Sequence, residues 1–421
     1  MAPSHPPRVL LVTREPVLHQ RSGSTTLVLG LLELLRAEGC EVEVFCTLAC
    51  SRSPKMVFRR QAEFPAGVRF RVPGYLRMGS LYVRTMWAKA WSRDVCRAAK
   101  RLSIFKPLAW AVKKLYGEAL YTNAWDLTVA TDAEVAAAGR EAQRFGATCV
   151  IANYAFWAPL FAQLPSQLPT MVIAHDLLSA RVQRMLSAGA ELDCPAIDEA
   201  TEIDWLNAPK VVLAAQAAEA ELLRTKLQST VMVQPIVLKP MFTARDVRPH
   251  HCFFVGGNIL PNVTGLQFFL AEVWPRVRAS VPDATIEIAG SVCGAELAEF
   301  HQPGVMLLGR VDTLNELYDR AALCVVPLLV GSGIKIKLLE ALSYGKAIVS
   351  TSVGVQGLEA WTTDAISVAD DAESFAAAVV EAMESTTKRQ QLERGAQRLV
   401  RERFSPRSEP VQTFVRMLLG Q

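Results

Sequence analysis

The sequence predicts an α/β protein built from two Rossmann-like, doubly wound parallel sheets. Three observations carry that prediction. At about 150 residues per domain, a chain of 421 residues corresponds to two or three domains. Short runs rich in β-branched residues alternate with helix-period segments almost throughout, as βα units require. The stretch 239–249 holds Pro240 and Pro249 with little apolar periodicity, so it reads as a connection dividing the chain near residue 245.

The elements follow in order. Residues 8–13, around the apolar run Val9 to Val12, are expected as the first strand, 25–37 as a helix and 41–47 as the next strand. Further strands are expected at 127–131, 148–152, 169–174 and 211–214. In the second half they fall at 252–256, 284–289, 305–309, 323–327, 347–351 and 365–368, each beside a helical stretch. The helix that begins near Ile334 has Leu338, Leu339 and Leu342 as its buried stripe and Gly345 as its C-cap.

Composition narrows the class. With 51% hydrophobic and 20% charged residues the chain can fill large cores. Its longest apolar run, 321–330, contains Pro327 and falls far short of the ~20 residues of a spanning helix. No charged n-region precedes a long apolar stretch at the start, so a secretory signal is not expected. The nine cysteines are scattered without a CxxC, which suits core thiols in a reducing, cytoplasmic compartment. A net charge of +4 is too mild to imply nucleic acid. It is unevenly spread: 75–117 carries ten Lys or Arg against Asp94 alone, leaving −5 for the rest.

Ligands of open α/β sheets bind beyond the carboxyl ends of the strands. The richest such end runs from Pro327 through Gly331, Ser332, Gly333, Lys335 and Lys337 to Glu340 and Tyr344. Small residues at a helix start let an anion approach free backbone N–H groups. Lys337, Glu340 and Tyr344 share one helix face, where a cation for phosphate and a carboxylate for ribose hydroxyls suit a nucleotide diphosphate. The same spacing suits a solvated ion pair. Gly256 and Gly257, Gly290, and Gly309 with Arg310 and Val311 mark other strand ends, and each glycine alone is explained by a tight turn. Gly23 follows the first strand. His175, with Asp176, stands at the end of the strand 169–174. It is placed either to hydrogen-bond a substrate hydroxyl or to fix a turn. No GxGxxG, HExxH, DxD or GxSxG occurs, so dinucleotide cofactor, metal hydrolase and nucleophile-elbow readings lack support.

Taken in order, Phe-Val-Gly-Gly with Pro261-Asn262, Ile-Ala-Gly290, Leu-Gly309-Arg310-Val311 and GSGIKIKLLEALSYGKAIVST (331–351) with Gly354 and Gly357 resemble the group 1 retaining glycosyltransferases of GT-B fold. The resemblance is narrower still to the subgroup with a GSG-x-K-x-K-x-LEA motif. It implies two Rossmann-like domains facing across a cleft: 1–245 for the acceptor, 246–403 for a nucleotide-sugar donor, and a C-terminal helix in 404–421 crossing back to the first. It implies transfer with retention, no bound metal and no cofactor. Glu340 matches the second glutamate of the family's E-x7-E motif, which holds the ribose. The first would fall at Ser332, so that carboxylate is absent. The cations that usually follow the first Val-Gly are replaced by Gly257 and apolar residues, leaving Lys335 and Lys337 to meet the phosphates. His175 resembles the family's histidine near the donor sugar, Arg310 and Val311 match the loop against the base, and Gly23 lies on the acceptor side.

The function expected is therefore glycosyl transfer to a glycan, lipid-linked or small-molecule acceptor. An epimerase of the same fold and a non-catalytic nucleotide-sugar-binding subunit are the alternatives. From 83 to 102, apolar residues recur at helical spacing with Trp87 and Trp91 among them, while Lys89, Arg93, Arg97 and Lys100 line another face. That pattern suits an interfacial helix on an anionic membrane, at the inner face of the plasma membrane, and equally an amphipathic helix packed on the first domain.

Overall fold

The computed structural model describes residues 6–14, 23–47, 57–59, 64–79, 81–84, 129–175, 177–187, 196–242, 247–295, 297–311, 313–331 and 333–419. The chain divides into two compact units, Met1–Gln234 and Pro235–Gln421. The sequence-predicted division near 245 lies outside the described residues. The peptide after Gln234 stays with the second unit because Leu238 N–H donates to Phe404 O at 2.7 Å and Met241 N–H to Ser343 O at 2.8 Å.

The first unit holds a seven-stranded sheet of β1 (Arg8–Thr13), β2 (Glu41–Cys46), β4 (Arg69–Arg71), β7 (Cys149–Asn153), β8 (Thr170–Ala174), β9 (Val211–Ala214) and β10 (Thr230–Val233). The order is β10-β9-β8-β7-β1-β2-β4, and every pair is parallel. β7 and β8 are buried along their whole length, the pattern of strands covered on both faces. Beside this sheet β3 (Val57–Arg59), β5 (Tyr75–Met78) and β6 (Leu81–Arg84) form an antiparallel sheet that the sequence pattern does not announce. Two expectations are corrected here. No strand occupies 129–131: Thr131 caps the helix Asp132–Phe145, its hydroxyl accepting from Glu134 N–H while the Glu134 carboxylate accepts from Thr131 N–H. Val83 and Arg84, taken as the start of an amphipathic helix, end β6 instead, because pairing with Leu76 and Tyr75 holds them extended. The rest of that helix, 85–102, lies outside the described residues.

The second unit follows the expected alternation closely. Its parallel sheet comprises β11 (Arg248–Val255), β12 (Thr285–Ala289), β13 (Val305–Gly309), β14 (Ala321–Val326), β15 (Ala347–Ser350) and β16 (Ser367–Val368), in the order β13-β12-β11-β14-β15-β16. β11 starts at Arg248, so the connection ends earlier than its prolines suggest. Phe254, Ile286, Ile288, Leu323, Val325 and Val349 bury against Leu266, Phe269, Trp274 and Phe375 of the covering helices.

Both sheets reverse direction beside their first strand, between β11 and β14 in one unit and between β1 and β7 in the other. Two neighbouring connections leaving in opposite directions open a crevice at those carboxyl ends. In the second unit Gly265 lets the helix Leu260–Phe268 settle on the end of β14, since a Cβ there would stand 2.5 Å from Pro327 O. Gly265→Ala should therefore lower stability by about 1–3 kcal/mol in urea unfolding, the usual cost of overpacking. An unchanged midpoint would show that the helix relaxes freely.

Candidate functional site

The crevice of the second unit is assembled by three glycine turns. Gly256 N–H donates to Ala289 O at 3.0 Å, Gly290 N–H to Gly309 O at 2.7 Å, and Val292 N–H to Gly256 O at 3.2 Å. Gly290 sits at φ +102°, and a Cβ on it would collide with Gly256 O. Gly309, at φ +66°, then releases the chain into Arg310 and Val311, both exposed.

Asn262, buried in the first turn of the helix after β11, ties this turn to the one after β14. Its Nδ2 donates to Gly257 O at 2.9 Å, and its Oδ1 accepts from Lys337 Nζ. Lys337 lies in the first turn of the helix Ile336–Ser343, with its ammonium 5.2 Å from the centre of the Phe254 ring. One turn on, Glu340 Oε2 accepts from Tyr318 Oη at 3.2 Å. Tyr318 is fixed by stacking on Tyr344 at 4.2 Å and by the edge of Phe253 at 5.0 Å. Lys337 and Glu340 do not pair with each other among the described residues; each is half-buried on a neutral partner. Burial pushes the Lys337 ammonium down to about 8, helped by Lys335 and opposed by Glu340. It pushes the Glu340 carboxyl up to about 7, against the Tyr318 hydrogen bond and Lys337.

The remaining expected residues take distinct places. Lys335 is buried and internal: its ammonium donates to Gly333 O at 2.6 Å and to Gln356 Oε1 at 3.1 Å, bracing the turn that Gly331 and Gly333 form at positive φ. Gly331 lies against Pro261, so the loops after β11 and β14 adjoin. Gly345, at φ +65°, ends the helix as expected. Ser332 lies outside the described residues. No group of three His, Cys, Asp or Glu side chains able to hold a metal ion occurs among the described residues. Phe254, Asn262 and Tyr318 were not singled out from sequence as site residues. Of these, Asn262 was marked by the sequence, in the Pro261-Asn262 pair of the resemblance; Tyr318 reaches Glu340 from another element.

In the first unit the ends of β1, β7 and β8 converge. Asn153 Nδ2 donates to Thr13 Oγ1 at 3.1 Å, and its Oδ1 meets His175 Nε2 at 2.6 Å. Tyr154 holds φ +77°, unusual for a bulky residue, and places its ring 4.6 Å from the imidazole. Burial pushes the His175 pKa down to about 3, so the ring is neutral. Beside them Arg14, buried, makes two bonds of 3.0 and 2.9 Å to Glu134 and lies over the Phe156 ring. Burial would raise the Glu134 carboxyl, but Arg14 and the Thr131 bonds hold it below its ordinary value. Gly23 opens the helix Gly23–Ala37, and Asp176 lies outside the described residues.

Residues 249–385, which include β11, the three glycine turns and the Lys337–Glu340 helix, match the family described as Glycosyl transferases group 1. The match covers 137 of the 421 residues and lies within the second unit. A stretch of 143 residues, 31% of this chain, is 29% identical to an uncharacterized 44.6 kDa protein in the cps region of Klebsiella pneumoniae, and covers 37% of that relative. Among solved structures, sucrose-phosphate synthase from Thermosynechococcus elongatus aligns with a TM-score of 0.60 at 15% identity, over 99% of this chain and 100% of its own. HepE of Anabaena, in complex with UDP, aligns at 0.59 and 13% identity over 98% and 100% of the two chains. The UDP-forming α,α-trehalose-phosphate synthase from Burkholderia vietnamiensis aligns at 0.57 and 12% identity over 99% and 97%. At such identities the likeness is one of fold, and that fold is GT-B.

The buried Arg14–Glu134 pair yields a test of its own. Arg14→Met leaves a buried carboxylate without its counter-charge, which should cost about 3–5 kcal/mol. Urea unfolding measures it, and a loss under about 1 kcal/mol would mean that Glu134 is satisfied by Thr131 and Thr47 alone.

Proposed function

We propose that the chain transfers a sugar from a nucleotide-sugar donor to an acceptor hydroxyl with retention of configuration and without a bound metal. The observation that carries this reading is the placement of Lys337 and Glu340, one turn apart, at the crevice of a group 1 glycosyltransferase domain. There Lys337 meets the diphosphate and Glu340 accepts from the ribose hydroxyls. The developing charge on the leaving diphosphate is then stabilised by the ammonium and the uncapped start of the helix Ile336–Ser343. Gly256, Gly257, Gly331, Ser332 and Gly333 let the phosphates approach the backbone, and Arg310 and Val311 flank the base. Lys335 acts by bracing that turn. His175 contacts a substrate hydroxyl at the strand ends of its own unit. HepE, with UDP bound, supports a uridine nucleotide as the first donor to try. The relative from a cps region supports a capsule or related surface glycan as the pathway.

The pKa directions specify how donor binding responds to pH. Lys337 must be charged, which fails as pH rises through about 8, and Glu340 must be ionised, which fails as pH falls through about 7. UDP binding followed by calorimetry should therefore peak between those values. Lys337→Ala should abolish the alkaline limb and Glu340→Ala the acid limb. Each should weaken binding ten- to hundredfold, as a lost charge-assisted bond of ~1.5–3 kcal/mol implies. Wild-type affinity in both folded variants would remove them from the site. Turnover of a nucleotide-sugar panel then decides the reaction. Release of UDP without acceptor would favour an epimerase, and binding without turnover a non-catalytic subunit.

We also infer that the basic residues of 85–102, beyond the strand that ends at Arg84, bring the enzyme to an anionic, cytoplasmic membrane face where a lipid-linked acceptor resides. Lys89, Arg93, Arg97 and Lys100 would each contribute about 1 kcal/mol near such a surface. No described helix is long and apolar enough to cross a membrane. Sedimentation with anionic but not neutral liposomes, reversed by salt and by charge reversal at Arg93, Arg97 and Lys100, is the expected result. Equal recovery with both vesicle types would leave a soluble acceptor.

A further inference from the structure

We propose that Asn153 is a positioning residue that fixes His175 in its Nε2–H tautomer, with a bare Nδ1, and so holds the ring in one orientation and one protonation pattern for its contact with substrate. The substrate contact rests on the function proposed above; the tautomer does not.

The argument is one of proton accounting. Asn153 is buried, and its amide is held between two partners, Thr13 Oγ1 at 3.1 Å and His175 Nε2 at 2.6 Å. Two arrangements satisfy those distances. In the first, Nε2–H donates to Asn153 Oδ1 and Nδ1 carries only a lone pair. In the second the amide is turned over, its Nδ2 donates to a bare Nε2, and the ring proton sits on Nδ1. Nδ1 is inaccessible to solvent and has no hydrogen-bond partner among the described residues. The second arrangement therefore buries an N–H with nothing to accept it, the rarest kind of unsatisfied group in folded proteins. The first leaves a lone pair, which is tolerated more often. A third state, with both nitrogens protonated, is opposed by the enclosure that keeps the ring neutral. The first arrangement also lets Asn153 Nδ2 donate to Thr13, so every donor of the chain Asn153–His175 that faces a partner is used.

The ring plane is set independently. Tyr154, the next residue, packs its ring on the imidazole at 4.6 Å and is itself stacked on Phe156 at 5.5 Å. It holds this place at φ +77°, a backbone conformation that costs energy and that only the surrounding packing maintains. Edge and face of the imidazole are thus fixed by consecutive residues at the end of β7. A ring so held has a fixed plane and a fixed proton position. It neither donates from Nδ1 nor takes a proton at neutral pH.

The test reads the tautomer directly, on ligand-free, full-length protein labelled with nitrogen-15 in histidine. The His175 resonances are identified by their loss in His175→Gln. Two-bond proton–nitrogen correlations should show a protonated Nε2 and a bare Nδ1. Asn153→Ala should blend the two tautomers and lower kcat about tenfold, with donor KM changed less than about twofold. Asn153→Asp keeps an acceptor opposite Nε2 and should restore the wild-type pattern at alkaline pH, where the ring is neutral. A wild-type proton on Nδ1, or an Asn153→Ala spectrum identical to wild type, would overturn the proposal. Should the alanine variant not fold, the wild-type and aspartate spectra still decide it. Because the spectrum needs no donor, it judges this inference even if no sugar is transferred.

Discussion

The close approach of the Gly290 turn to Gly256 is the constraint on which the second unit's site depends. Parallel strands leave their last backbone groups unpaired, and here those groups pair with the neighbouring turns rather than with side chains. That requires backbone to touch backbone, and a Cβ at Gly290 would prevent it. Once the turns after β11, β12 and β13 are locked together, Gly257 O has a fixed direction, Asn262 has something to hold, and Lys337 has a partner. Remove the first contact and the later ones lose their reference.

A cation and a carboxylate one turn apart on an exposed helix would pair weakly with each other and with water. Here Asn262 and Phe254 hold the ammonium while Tyr318 holds the carboxylate. The cost is electrostatic, visible as the lowered Lys337 and raised Glu340 pKa values. The gain is that neither charge is consumed by the other. Both groups therefore keep their charge available at the crevice, held by neutral neighbours.

The first unit solves a related problem differently. Its full charges, Arg14 and Glu134, satisfy each other at the start of the helix Asp132–Phe145 and serve to join β1 to that helix. The polar atoms left at the strand ends are neutral: a hydroxyl, an amide and an imidazole in one hydrogen-bonded row. Charge lies in the second unit's crevice and neutral hydrogen bonding at the first unit's strand ends.

Read alone, the chain determined the βα alternation, the strand ends worth searching and the helix bearing Lys337 and Glu340, because periodicity, small residues and helix spacing are local properties. The GSGIKIKLLEA run and the glycine pattern were legible for the same reason. What lay beyond local spacing was decided by tertiary structure. Phe254 and Asn262 reach Lys337 from more than 70 positions away, and Tyr318 reaches Glu340 from another helix. Lys335, by pattern a phosphate ligand like Lys337, turns inward to Gly333 and Gln356 because it precedes the helix rather than lying on its open face. The strand expected at 127–131 gave way, over its described residues, to a cap at Thr131, whose bond to Glu134 is reinforced by Arg14 from the first strand. His175 was visible at its strand end, but its burial and its hydrogen bond to Asn153 come from packing alone. A sequence records which groups a chain carries; which of them remain free to act depends on which partners the fold delivers.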